Sequence, residues 1–162
     1  SNMKLATGGV APIPEFQKEG VNVTVGTDGS TTNNSLDMMS EMKVLGLLQK
    51  SSRWDPTVAK AQELLDFATV NGAKAIGMQD MLGSIEAGKY ADLVILSGRS
   101  PNLRPLLPEN IISNIIYSAS SANVKTVMCQ GDIVLDNGTI SAIDEDEVLS
   151  ASEEVWRSLC LR

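Results

Sequence analysis

Val21-Asn22-Val23-Thr24-Val25-Gly26-Thr27-Asp28-Gly29 decides how this chain is read. Three valines alternate with Asn22 and Thr24, which is the period-two pattern of a β-strand, and β-branched side chains favour that conformation. Gly26 breaks the run, and the glycines on either side of Thr27-Asp28 let the backbone turn tightly. The pattern predicts a strand whose C-terminal end brings one carboxylate, Asp28, to the mouth of a sheet. A carboxylate in that place can bind a divalent cation and take a proton from metal-bound water. On its own, the triplet Thr27-Asp28-Gly29 is a weak signal and reads first as an aspartate that caps a turn.

Upstream, a Gly pair and two prolines in residues 1–14 read as a loop, leading to a short helix around Glu15 to Lys18 that stops at Gly20. Downstream, Ser30, Thr31, Thr32, Asn33 and Asn34 form a polar loop able either to bind substrate through amides and hydroxyls or to cap the next helix, with Ser35 as the expected cap. Leu36, Met39, Met42, Val44, Leu47 and Leu48 then recur near helical spacing, and the methionines read as core filler. A second helix is expected from Asp55-Pro56, with a break near Asn71-Gly72. Trp54 and Trp156 read as packing anchors.

From Gly83 the character changes. Glu86-Ala87-Gly88-Lys89 reads as a turn before a strand from Ala91 to Leu96. Strand-like segments follow in NIIYSASS (residues 114–121), VKTVMCQGDIVLDNG (124–138) and TISAI (139–143), with hairpin turns at Gln130-Gly131-Asp132 and Asp136-Asn137-Gly138. The acidic run Asp144 to Glu147 suits a helix N-terminus. Val148, Leu149, Val155, Trp156 and Leu159 supply that helix with an apolar face for docking. The organisation expected is two regions, residues 1–82 and 83–162.

Composition narrows the function. The chain has 162 residues, 43% of them hydrophobic and 20% charged, which predicts a single globular domain too short for a closed eight-stranded α/β barrel. Acidic residues outnumber basic ones 20 to 13, for a net charge of -7, so nucleic acid and anionic membrane surfaces are disfavoured as partners. Cys129 and Cys160 fall in no metal-binding spacing. With no export signal and no apolar run of membrane-spanning length, the expected compartment is the cytoplasm. Histidine is absent altogether. A hydrolytic zinc site commonly uses several imidazoles, so neither that site nor a histidine acid–base is complete here.

Three stretches, in order, resemble one family. Residues 1–42 are similar to the part of methylthioadenosine/S-adenosylhomocysteine deaminases and related chlorohydrolases that spans the last two barrel strands. ATVNGAKAIGMQDMLGSIEAGKYADLVIL (68–96) resembles the segment by which metal-dependent amidohydrolases leave the barrel for their small β domain, and residues 114–138 resemble the strands that finish it. The resemblance implies an α/β fold: the C-terminal fragment of a (β/α)8 amidohydrolase barrel, incomplete over residues 1–82, plus the C-terminal portion of a composite β-sandwich with a terminal helix over 83–162. It implies a parent enzyme that acts on C–N bonds of a small molecule, an aminopurine nucleoside, and holds one divalent metal, zinc or iron. A chlorohydrolase or other aminohydrolase of the superfamily, or a non-catalytic interaction module, is the alternative. Asp28 matches the family's aspartate that contacts the metal and shuttles protons, while the family's histidines and acid/base glutamate have no counterpart among these residues. With one carboxylate, this chain alone is expected to bind metal weakly and to be inactive. Ser1-Asn2 fits both the family motif and the remnant of a cleaved tag. Strand edges that the parent would cover predict self-association, a homo-oligomer.

Overall fold

The computed structural model describes residues 8–160; the loop expected over residues 1–7 and the identity of Ser1-Asn2 lie outside it. The described chain forms two compact units. One comprises residues 8–90 and 97–123, the other 91–96 and 124–160.

The first unit is built from helices around one extended segment. Helix α1 (Ile13–Lys18) begins at Pro12. Helix α2 (Met38–Arg53) follows the polar loop, and α3 (Ala61–Ala68), α4 (Val70–Ala75) and α5 (Ile111–Tyr117) complete the unit. Its core is Ile13, Met42, Ala59, Leu64, Phe67 and Ile116, with Val23, Val25, Met39 and Leu45 packed against it. Met42 and Met39 are core filler, as expected. Gly46 of α2 makes room for α3: a Cβ there would come within 2.5 Å of Leu64 Cδ1, so the fully buried Leu64 fills the notch that the glycine leaves.

The Val21–Val25 run is extended but joins no sheet. Strand pairing needs a neighbouring backbone, and within these residues helices take that place. Val25 N donates to Phe67 O at 3.3 Å, Asn71 Nδ2 donates to Val23 O at 2.9 Å, and Asn22 Nδ2 donates to Asn71 O at 3.0 Å. The segment therefore lies against α3 and α4, with Val23 and Val25 turned to the core and Val21 51% exposed.

Five further expectations are corrected. The cap of α2 is Asp37, whose side chain accepts from Met39 N and Ser40 N; Ser35 Oγ instead accepts from Asp37 N at 3.2 Å. Asp55 closes a turn by accepting from Thr57 N and Thr57 Oγ1, and the helix starts six residues later at Ala61. Its break falls at Thr69, where the backbone leaves helical angles (φ −123°, ψ −93°), one turn ahead of Gly72. The segment 114–121, expected to be strand-like, instead ends the helix Ile111–Tyr117 and runs into the turn after it, because a helix sends Ile116 fully into the core, where burial outweighs β propensity. Trp54 is 95% exposed: it is the left-handed C-cap of α2 (φ 55°), which turns its side chain outward.

The second unit is an antiparallel sheet in the order β1 (Leu93–Leu96), β2 (Val124–Cys129), β3 (Asp132–Asp136), β4 (Thr139–Ile140). Both hairpin turns form where their sequences predict. Gln130 and Gly131 have φ of 51° and 94°, Asn137 and Gly138 of 49° and 85°, the paired positive values that a two-residue turn matched to strand twist requires. Helix α6 (Glu145–Cys160) carries its acidic first turn, and Asp144 Oδ1 accepts from Glu147 N at 3.1 Å. Among the described residues its apolar face is uncovered: Trp156 and Leu159 are each 67% exposed, so the docking expected of this helix is not seen. No helix among the described residues is long and apolar enough to cross a membrane.

Candidate active site

Asp28 stands at the end of the extended segment, exposed, with a left-handed backbone (φ 63°). Aspartate tolerates that region better than most residues with a Cβ. Its Oδ1 accepts from the N–H of Gly29 at 2.7 Å. Beyond it the loop closes on one oxygen: Gly29 O accepts from Thr32 N (3.0 Å), Thr32 Oγ1 (3.0 Å) and Asn33 N (2.8 Å).

Asp28 lines a cleft of about 630 Å³ in the first unit, a volume in the range of small-molecule sites. Its polar lining includes Thr27, Asp28, Asn33, Ser35, Ser40 and Glu41, and its apolar lining includes Ile13, Phe16, Val23, Val25, Val44 and Leu48. Glu41 belongs by sequence to the outer, polar face of α2, yet the loop folds back over that helix and Asn33 Nδ2 donates to its carboxylate at 2.5 Å. The path of the loop decides this contact, and no local pattern reports it. Asn34, Ser30 and Thr31 do not line the cleft.

Asp37 anchors the far side of the loop. Besides Met39 N and Ser40 N, it accepts from Ser40 Oγ (3.0 Å) and, across 84 residues, from Ser121 N (3.2 Å). Partial burial alone would raise its pKa, but the hydrogen bonds from Ser121, Ser40 and Met39 outweigh burial and hold the carboxyl below its ordinary value. A depressed folded-state pKa means stabilisation present above the unfolded-chain value of about 3.9 and lost as pH falls through the folded one. Asp37→Ala is therefore expected to cost about 1 kcal/mol at neutral pH, measured by urea denaturation, and the penalty should fade on acidification.

The donor set does not make a metal centre by itself. Among the described residues no three His, Cys, Asp or Glu side chains come together to hold an ion, and the sequence has no histidine. A zinc site uses three or four protein ligands, and the carboxylates lining the cleft are Asp28 and Glu41.

The Amidohydrolase family profile matches residues 1–134. The chain is 48% identical over 159 residues to the 5'-deoxyadenosine deaminase of Methanopyrus kandleri, aligning 98% of this chain with 36% of that protein. It is 43% identical over 148 residues to the 5-methylthioadenosine/S-adenosylhomocysteine deaminase of Moorella thermoacetica, aligning 91% with 34%. An adenosine deaminase of Xanthomonas campestris, solved with bound zinc, superposes with a TM-score of 0.90 at 36% identity, covering 97% of this chain and 35% of that one. This chain belongs to the amidohydrolase family and spans about a third of the length of the relatives it matches.

Proposed function

We propose that these residues are part of a metal-dependent aminopurine nucleoside deaminase, of the 5'-deoxyadenosine or methylthioadenosine/S-adenosylhomocysteine type, and that Asp28 is its reacting carboxylate. The observation that carries this reading is the 48% identity to a 5'-deoxyadenosine deaminase, maintained across 98% of the chain. The reading assigns residues 1–82 to the last strands and helices of a (β/α)8 barrel and residues 83–162 to a small β domain, of which 83–90 and 97–123 belong to the first compact unit.

In such a reaction water adds to the purine carbon bearing the amino group, a C–O bond forms, the C–N bond breaks, and ammonia leaves with a proton that came from the water. A bound divalent ion, zinc or iron, would acidify that water; the ligands besides Asp28 lie outside these residues. What this chain contributes is an acceptor-only carboxylate at the mouth of a cleft, able to hold a proton and give it up again.

The test is ammonia release by the complete protein from adenosine, 5'-deoxyadenosine, methylthioadenosine and S-adenosylhomocysteine, with a chlorinated triazine as comparison. Turnover of at least one nucleoside and none of the triazine is expected. Release of chloride without release of ammonia would refute the reading.

A further inference from the structure

Residue 28 is in a left-handed conformation, and the loop after it is exposed at Gly29, Ser30 and Thr31. One residue brackets the aspartate on both sides. Asn33 N donates to Gly29 O, the carbonyl after Asp28, and Asn33 Nδ2 donates at 2.9 Å to Thr27 O, the carbonyl before it. The same Nδ2 reaches the Glu41 carboxylate, and Asn33 Oδ1 accepts from Ser35 N at 3.1 Å.

Donor and acceptor chemistry fixes how this amide points. Thr27 O and the Glu41 carboxylate only accept and Ser35 N–H only donates, so the nitrogen must face the first two and the oxygen the third. Aspartate has no donor for either oxygen, serine has one, and glutamine is longer by a methylene. The anchor is rigid: Glu41 lies in the first turn of α2, capped by Asp37 and followed by Met42 in the core. We propose that Asn33 is the positioning residue for Asp28, clamping the turn to α2 through Glu41. The proposal rests on Asp28 being the reacting carboxylate.

The experiment uses the complete protein with 5'-deoxyadenosine as substrate and compares Asp28→Asn, Asn33→Asp, Asn33→Ser and Glu41→Gln. Misplacing a reacting group by about 1 Å costs on the order of 100-fold, so Asn33→Asp should lower kcat by about that factor while KM stays within about threefold. Asn33→Ser should lose more than about tenfold, and Glu41→Gln, which keeps an acceptor oxygen, less than about threefold. A purely structural role would not lower kcat while leaving KM and the thermal unfolding of the variants unchanged. If Asn33→Asp does not fold, the kcat of Asn33→Ser decides. A kcat within about threefold of wild type in the folded Asn33 variants, with Asp28→Asn inactive, overturns the clamp and leaves the reading of Asp28 intact. Wild-type turnover by Asp28→Asn overturns both.

Discussion

Asp28→Asn in the complete protein is expected to lower kcat by about 10²–10⁴-fold, the range associated with losing a positioned acid–base group. Asparagine is the informative replacement because it keeps the shape of the side chain, still offers an oxygen to Gly29 N–H, and tolerates the left-handed backbone at φ 63°. What it loses is the ability to hold a proton. Thermal unfolding should therefore be nearly unchanged, with a stability difference within about 0.5 kcal/mol. Asp28→Ala would confuse the two effects, since alanine has neither the acceptor nor the backbone tolerance. Stable folding together with lost turnover ties the residue to the reaction, whereas parallel loss of both would make it a turn residue.

Leu64→Ala carries the largest expected effect on stability, about 3–5 kcal/mol. The side chain is fully buried and fills the notch left by Gly46, so its removal leaves a cavity between α2 and α3 that rigid helices close only in part. The same contact makes a distinctive prediction about the pair. In the wild-type background Gly46→Ala pushes a methyl group against the flexible end of Leu64, and the strain offsets the gain of about 1 kcal/mol from replacing a mid-helix glycine. With Leu64 already truncated, that methyl group enters empty space and the gain should appear. Urea denaturation of the two single variants and the double variant should show a coupling of about 0.5–3 kcal/mol. Additive effects would mean that the notch is not what limits packing here.

Features set by local chemistry were legible in the sequence. Asn137-Gly138 and Gly131 form their turns because asparagine and glycine accept positive φ, and α6 starts where an aspartate precedes an acidic run. Features set by distant partners were not. The Val21–Val25 pattern is that of a strand, and the backbone is extended, but whether it joins a sheet depends on neighbouring strands that these residues do not provide. Ile111, Ile112, Ile115 and Ile116 favour a strand locally and become helical through the burial of Ile116. Ser35 and Asp37 are both competent caps, and the contact from Ser121, far along the chain, helps hold Asp37 in that role. At the site, the position of Asp28 at the end of an extended run follows from Val25-Gly26-Thr27. The facing of Asn33 and Glu41 follows only from the path of the loop between them.

The central claim is that Asp28 sits at the reacting centre of a metal-dependent deaminase. Anomalous diffraction from crystals of the complete protein, collected at the absorption edge of the bound metal, tests it most directly. The account predicts a metal peak with an Asp28 carboxylate oxygen at about 2.0–2.2 Å, the distance of a bound ligand. A fully ligated metal with Asp28 turned away from it, beyond about 4 Å, would contradict the account.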